Sequence, residues 1–187
     1  ISAKLKLLKD SGHIQNSALT PKGKFAKAVY GYELILAELY EQNIFEQLDE
    51  FGLGVIAVSA VFEPRKNQEL LNVSKSTRRI KALCEELHGK IKNQEARARI
   101  YPFSKVPYFH LALSIEYWLR GTSFSKILKF TDTDEGEVVR YFRMAIQILR
   151  EIRDNPVSST LLKDRIRETI RVINRDVVDA EKQLRES

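Results

Sequence analysis

The 187-residue sequence holds one cysteine, Cys84, one methionine, Met144, and one tryptophan, Trp118. A lone cysteine excludes an internal disulfide framework, so a reducing, intracellular setting is the default. Long hydrophobic runs are missing too. The longest, from Gly52 to Phe62, falls short of the ~18–20 residues that a membrane-spanning helix needs, so no membrane partner is expected. The chain starts at Ile1, and no charged stretch leads into an apolar one there. No signal peptide is expected, and the sequence reads as a piece of something longer. There is no low-complexity segment and no repeat of fixed period.

Catalytic signatures are also scarce. No GxxxxGK[ST] loop is present to cradle a triphosphate. The three histidines, His13, His88 and His110, lie far from one another and from Cys84, without metal-ligand spacing. His110 reads as a hydrogen-bonded core residue and Cys84 as a small hydrophobe on a packing face. The run Asp134-Glu135-Gly136-Glu137 resembles a helicase acidic box, but it opens a helix rather than ending a strand. Asp134 is therefore expected as a helix cap, with Glu137 as its capping-box partner. The chain itself is expected to be non-catalytic.

What is present is 43% hydrophobic and 30% charged residues, a soluble globular composition. Net charge is +6 and the pI about 9.4. That excess suits a polyanionic partner such as nucleic acid, and equally a solvated basic surface.

The spacing predicts an all-α helical bundle with a long helical hairpin-like arm. A tiny β-hairpin is the only strand candidate, with His13–Gln15 and Ala18-Leu19 flanking a turn at Asn16-Ser17. Residues 1–10 read as a helix closed by Ser11-Gly12. Thr20-Pro21 starts a helix running through Val29. Helical spacing continues over Glu33 to Gln42, with a short helical turn over Ile44 to Phe51. Gly54 to Phe62 is apolar on every side, which reads as a buried helix with a buried strand as the alternative. A long charged helix is expected over 67–99, packed through Leu70, Val73, Thr77, Ile80, Cys84, Leu87 and Ile91. Further helices are expected over Tyr108 to Arg120, Ser123 to Phe130, Glu135 to Arg153 and Ser159 to Gln183.

The helix from Glu135 has the most informative pattern. Val138, Phe142, Ala145, Leu149 and Ile152 form its apolar line, flanked by Val139, Tyr141, Ile146 and Ile148. The narrow remainder carries Arg140, Arg143, Met144, Gln147 and Arg150. Arginine forks suit phosphates and stack on bases, and glutamine can bond base edges. The same strip also suits a solvated face pairing with Glu151 and Asp154, and spacing by itself favours that. A second row, Lys163, Arg167, Arg171 and Arg175, is interleaved with acids and reads as a salt-bridged surface.

The run WLRGTSFSKILKFTDTDEGEVVRYFRMAIQILREI from Trp118, with Ile173-Asn174-Arg175-Asp176-Val177-Val178 after it, resembles the DSHCT domain. That domain is the C-terminal helical bundle of DExH-box RNA helicases of the superkiller and exosome-cofactor type. Trp118, Gly121, Phe124, Thr131, Glu135, Gly136, Arg140, Arg143, Arg175, Asp176 and Val178 match its pattern. Upstream, LKDSGHIQNSALTPKGKFAKAV is similar to the segment joining helicase core and bundle. Tyr32-Glu33-Leu34 and Phe62-Glu63 match the beginning of the bundle in that family.

The resemblance implies a connector over 1–31 with a winged-helix-like end, then a bundle over 32–187 with a ratchet helix over 135–153. It implies that Arg140, Arg143, Met144 and Gln147 face a translocating single strand of RNA beside the RecA-like domains of the same full-length protein, and Arg150, on the same strip by spacing, is expected to bind RNA with them. Eukaryotic members tend to carry Arg at the position of Met144 and Glu at that of Gln147. Arg175-Asp176 is implied as a structural pair inside the bundle. No cofactor is expected in this piece, since ATP and Mg would belong to the helicase core. Such a protein would be cytoplasmic, or nuclear in a eukaryote. Two alternatives stay open: a winged-helix DNA-binding regulator with a helical dimerisation region, and a protein-binding helical scaffold.

Overall fold

The computed structural model describes residues 2–28 and 33–186. The expected border between connector and bundle, and the expected helical Val29, lie outside these residues. Within them the chain is all-α apart from one two-stranded sheet.

The N-terminal helix α1 (Ser2–Asp10) ends where Gly12 takes a left-handed φ of 81° and the His13 amide donates back to the Leu8 carbonyl. Strands β1 (Ile14–Gln15) and β2 (Ala18–Leu19) pair antiparallel, Ile14 opposite Leu19. Asn16 and Ser17 between them both have positive φ, as a two-residue hairpin turn of this hand requires. Helix α2 (Pro21–Ala28) starts with the Thr20 hydroxyl accepting from the Gly23 amide at 3.1 Å. A Cβ on Gly23 would sit 2.1 Å from the His13 carbonyl oxygen, so only glycine lets the hairpin close against this helix.

Helices α3 (Glu33–Glu41) and α4 (Ile44–Gln47) lead into α5 (Glu50–Val61), which Asp49 caps by accepting from the Gly52 amide at 2.8 Å. Ten consecutive residues of α5, Gly52–Val61, are buried. The apolar run is therefore a helix and not a strand, because partners surround it on all sides. It packs against α6 (Lys75–Arg97), α7 (Ala112–Leu119), α9 (Glu135–Asp154) and α10 (Thr160–Ile173).

Several boundaries differ from expectation, each for a local reason. The long helix α6 begins at Lys75, so Leu70 and Val73 precede it rather than sharing its packing face. Ser74 stops it on the N-terminal side, its hydroxyl accepting from the Thr77 amide and donating to Glu116 at 2.8 Å. The chain then returns along α6 in extended form: the buried Glu95 carboxylate accepts from the Ser104 amide and hydroxyl, and His88 bonds the Ser104 carbonyl. Helix α7 starts at Ala112 rather than Tyr108, because the Tyr108 amide donates to the Ser59 carbonyl at the end of α5. Helix α8 (Phe124–Ile127) passes into a 3-10 turn over Leu128–Phe130.

The expected last helix is in fact three elements: α10, a 3-10 turn over Asp176–Val178, and α11 (Ala180–Glu186). The break has a tertiary cause. Arg175 turns inward, its guanidinium 3.4 Å from the Trp118 ring centroid, and its Nη2 donates to the Trp118 and Thr122 carbonyls, each at 2.8 Å. The Trp118 indole N–H in turn donates to the Ile173 carbonyl at 2.9 Å. Asp176 takes a φ of 49° and stays exposed. Arg175 and Asp176 are thus no pair inside the bundle: only the arginine is structural, and it does not continue the row of Lys163, Arg167 and Arg171. On α10 itself, Arg167 and Arg171 pair with Asp164 and Glu168.

Candidate nucleic-acid interface

Helix α9 is wedged into the bundle by Val138, Tyr141, Phe142, Ala145, Ile146, Ile148, Leu149 and Ile152, all buried. The Tyr141 hydroxyl locks its rotation by donating to the Glu63 carbonyl at 3.2 Å. The face left over is narrow and holds all five strip residues. Arg140, Gln147 and Arg150 are exposed, whereas Arg143 and Met144 are half-buried. The strip is therefore not one uniform exposed line.

Arg140 makes a two-pronged pair with Glu137, its Nη2 2.6 Å from Oε2 and its Nε 3.2 Å from Oε1. That hydrogen bond holds the Glu137 carboxyl below the usual carboxylate range. The expected capping box does not form: Asp134 makes no side-chain cap bond, and Glu137 is drawn outward to the arginine. The guanidinium also lies 4.4 Å from the Tyr141 ring centroid, and its Nη1 is 3.4 Å from the Met144 sulfur. With these contacts the side chain is still about half exposed.

Arg143 points elsewhere. Its Nε and Nη2 donate to the Val178 and Val177 carbonyls at 2.9 and 3.0 Å. It straps the 3-10 turn after α10 onto α9. Gln147 bonds Glu151, whose carboxyl is pushed upward by burial, with the Gln147 bond opposing. Arg150 forms no ion pair among the described residues. Two partners of the strip, Glu137 and Glu151, were legible as three- and four-residue spacings. The carbonyls that take up Arg143 lie more than 30 residues on, with no sequence signal.

Elsewhere the titratable groups serve the fold. Cys84 is buried and its thiol is pushed up to about 12 by that burial. His110 stacks on Phe62 at 5.1 Å and bonds the Gln68 carbonyl at 3.2 Å. Among the described residues no cluster of three or more His, Cys, Asp or Glu could hold a metal ion, and no helix is long and apolar enough to cross a membrane.

Known proteins share this sequence pattern. The sequence is 29% identical over 174 residues to the ATP-dependent RNA helicase mtr4 of Schizosaccharomyces pombe, covering 84% of this chain and 15% of that protein. It is 26% identical over 186 residues to mRNA transport homolog 4 of Caenorhabditis elegans, covering 94% of this chain and 18% of that one. It is 26% identical over 191 residues to the antiviral helicase SKI2 of Saccharomyces cerevisiae, covering 95% of this chain and 15% of that one. The chain thus spans less than a fifth of the length of these curated relatives. Residues 16–181, including most of the hairpin, the Trp118–Arg175 contact and the whole of α9, match the DSHCT (NUC185) domain, and the chain belongs to that family.

Proposed function

We propose that this chain is the C-terminal RNA-guiding domain of an ATP-dependent DExH-box RNA helicase, with α9 as the element that touches the translocating single strand. The observation that carries the reading is the narrow solvent-facing strip of α9, with Arg140 and Arg150 on a helix otherwise clamped by protein. A rigid helix presenting two guanidiniums ten residues apart, about 15 Å along its axis, suits two non-adjacent phosphates of one strand, and Met144 and Gln147 between them suit a base. Gly136 adds support. A Cβ there would meet nothing inside the molecule, so packing within the chain gives no reason for a glycine in this first turn of α9. It leaves room for something outside to approach the backbone. ATP and Mg would be handled by RecA-like domains elsewhere in the full-length protein.

Anisotropy titration of labelled single-stranded RNA over a range of salt tests this. Binding is expected to weaken steeply with salt. Arg140→Ala with Arg150→Ala should reduce the slope of log affinity against log salt by about 1.4, roughly 0.7 for each phosphate no longer neutralised. Arg143 is left intact because it holds the fold. Equal affinity and equal slope for both proteins would sink the site. Preference for a defined DNA duplex would favour the regulator reading instead.

A further inference from the structure

The start of α6 and the end of α7, together with α4 and the first turns of α5, enclose an open groove of about 640 Å³. No residue of the α9 strip lines it. Its floor is apolar: Ile44, Leu48, Phe51, Ile80 and Leu83 are each only half-buried there. Arg79 and Arg120 also line it, both exposed, and neither forms an ion pair among the described residues. Arg120 is nonetheless oriented, its guanidinium 5.7 Å from the Phe51 ring centroid and 5.1 Å from that of Tyr117. Those rings position the charge without neutralising it.

The two carboxylates of the groove are already engaged. Asp49 caps α5 through the Gly52 amide, and the buried Glu116 accepts from both Ser74 and Thr77 hydroxyls. Formal charge over the lining cancels, two carboxylates against two guanidiniums, but the guanidiniums are the charged groups that no hydrogen bond or ion pair occupies among the described residues, above an aliphatic floor. We propose that this groove docks a short acidic segment of a partner protein. Its Asp or Glu side chains would meet Arg79 and Arg120, and one or two aliphatic side chains would settle against Leu48, Ile80 and Leu83. Guanidinium forks match carboxylates, and a central apolar anchor with a charged rim is the arrangement that makes a small interface specific.

A nucleic-acid strand fits this surface less well. Bases need open aromatic faces, yet Tyr117 is stacked on Phe130 at 4.5 Å and covered by Arg120, which also lies over Phe51. The inference stands independently of the RNA reading of α9.

The test is a selection of random peptides displayed on phage against the 187-residue chain, then anisotropy of a selected synthetic peptide. Winning peptides are expected to combine Asp or Glu with Leu, Ile or Phe. Their affinity should fall roughly tenfold or more with Arg79→Glu plus Arg120→Glu, and again with Leu83→Gln. Arg79→Gln plus Arg120→Gln should weaken binding less, and circular dichroism melts would show all variants folded. Selected peptides without acidic residues, or acidic ones that bind the charge-reversed variant equally well, would overturn the proposal. So would charge reversal that lowers affinity for single-stranded RNA and leaves peptide binding unchanged.

Discussion

Arg175 does three things at once: it covers the Trp118 indole, satisfies two carbonyls, and forces the chain out of α10. Burial pushes its guanidinium down from the usual arginine range, with Asp176 opposing, so the contacts must outweigh a desolvation cost. Hydrogen bonds to a charged donor contribute about 1.5–3 kcal/mol, and a desolvated cation–π contact up to about 2. Arg175→Ala is therefore expected to lower stability by about 2–4 kcal/mol in urea unfolding, with Arg175→Lys recovering only part because an ammonium cannot lie flat on the ring. A loss under about 0.5 kcal/mol, the scatter of ordinary surface substitutions, would show that the stack carries no stability. In the sequence, Arg175 is one more member of a basic row. The row pattern knows only spacing along an ideal helix, and Trp118, more than 50 residues away, is what breaks that helix.

Among the elements, the hairpin with α2 depends on His13. The ring is buried, its Nδ1 2.8 Å from the Ser11 hydroxyl, and the Lys22 ammonium donates to the Ser11 carbonyl. Burial lowers the His13 pKa, and the Lys22 charge lowers it further, with Glu38 and Glu41 opposing. A folded pKa below the unfolded value of about 6.5 means that this stability is present above about pH 6.5 and is lost as pH falls below it. Amide exchange at Thr20 and Gly23, corrected for intrinsic rates, is expected to quicken between about pH 7.5 and pH 5.5, and His13→Gln to remove the difference. Unchanged protection in the wild-type protein would rule the mechanism out. The hairpin itself was readable from Asn16-Ser17 and Thr20-Pro21, since turn and cap chemistry are local. The burial of His13 was not, because α2 and α3 create it.

At the scale of the whole molecule, the N-terminal segment is joined to the bundle through charge in a dry place. Lys22 and Glu38 are both almost fully buried and paired, with Glu41 2.8 Å from the same ammonium and Lys90 3.7 Å from the other Glu38 oxygen. Removing one buried partner strands the other, at about 3–5 kcal/mol, whereas replacing both with apolar groups is often near neutral. Lys22→Met or Glu38→Leu alone is thus expected to cost several times more than the two together in thermal and urea unfolding. Additive losses would mean that the pair is not coupled. The all-α class, the hairpin and the wide apolar arc of α9 were determined by the sequence alone, whereas the choice of helix over strand for the apolar run in α5 was made by the structure. Each of the first three depends on periodicity, turn chemistry or capping within a few residues, and the spaced motif set added the family. Only the tertiary structure decided that Arg143 and Arg175 serve the fold through distant carbonyls and a distant ring, and that Arg79 and Arg120 share a groove. A side chain's partner is chosen by which distant carbonyl, carboxylate or ring packing brings within about 3–6 Å, and spacing along the chain does not carry that distance.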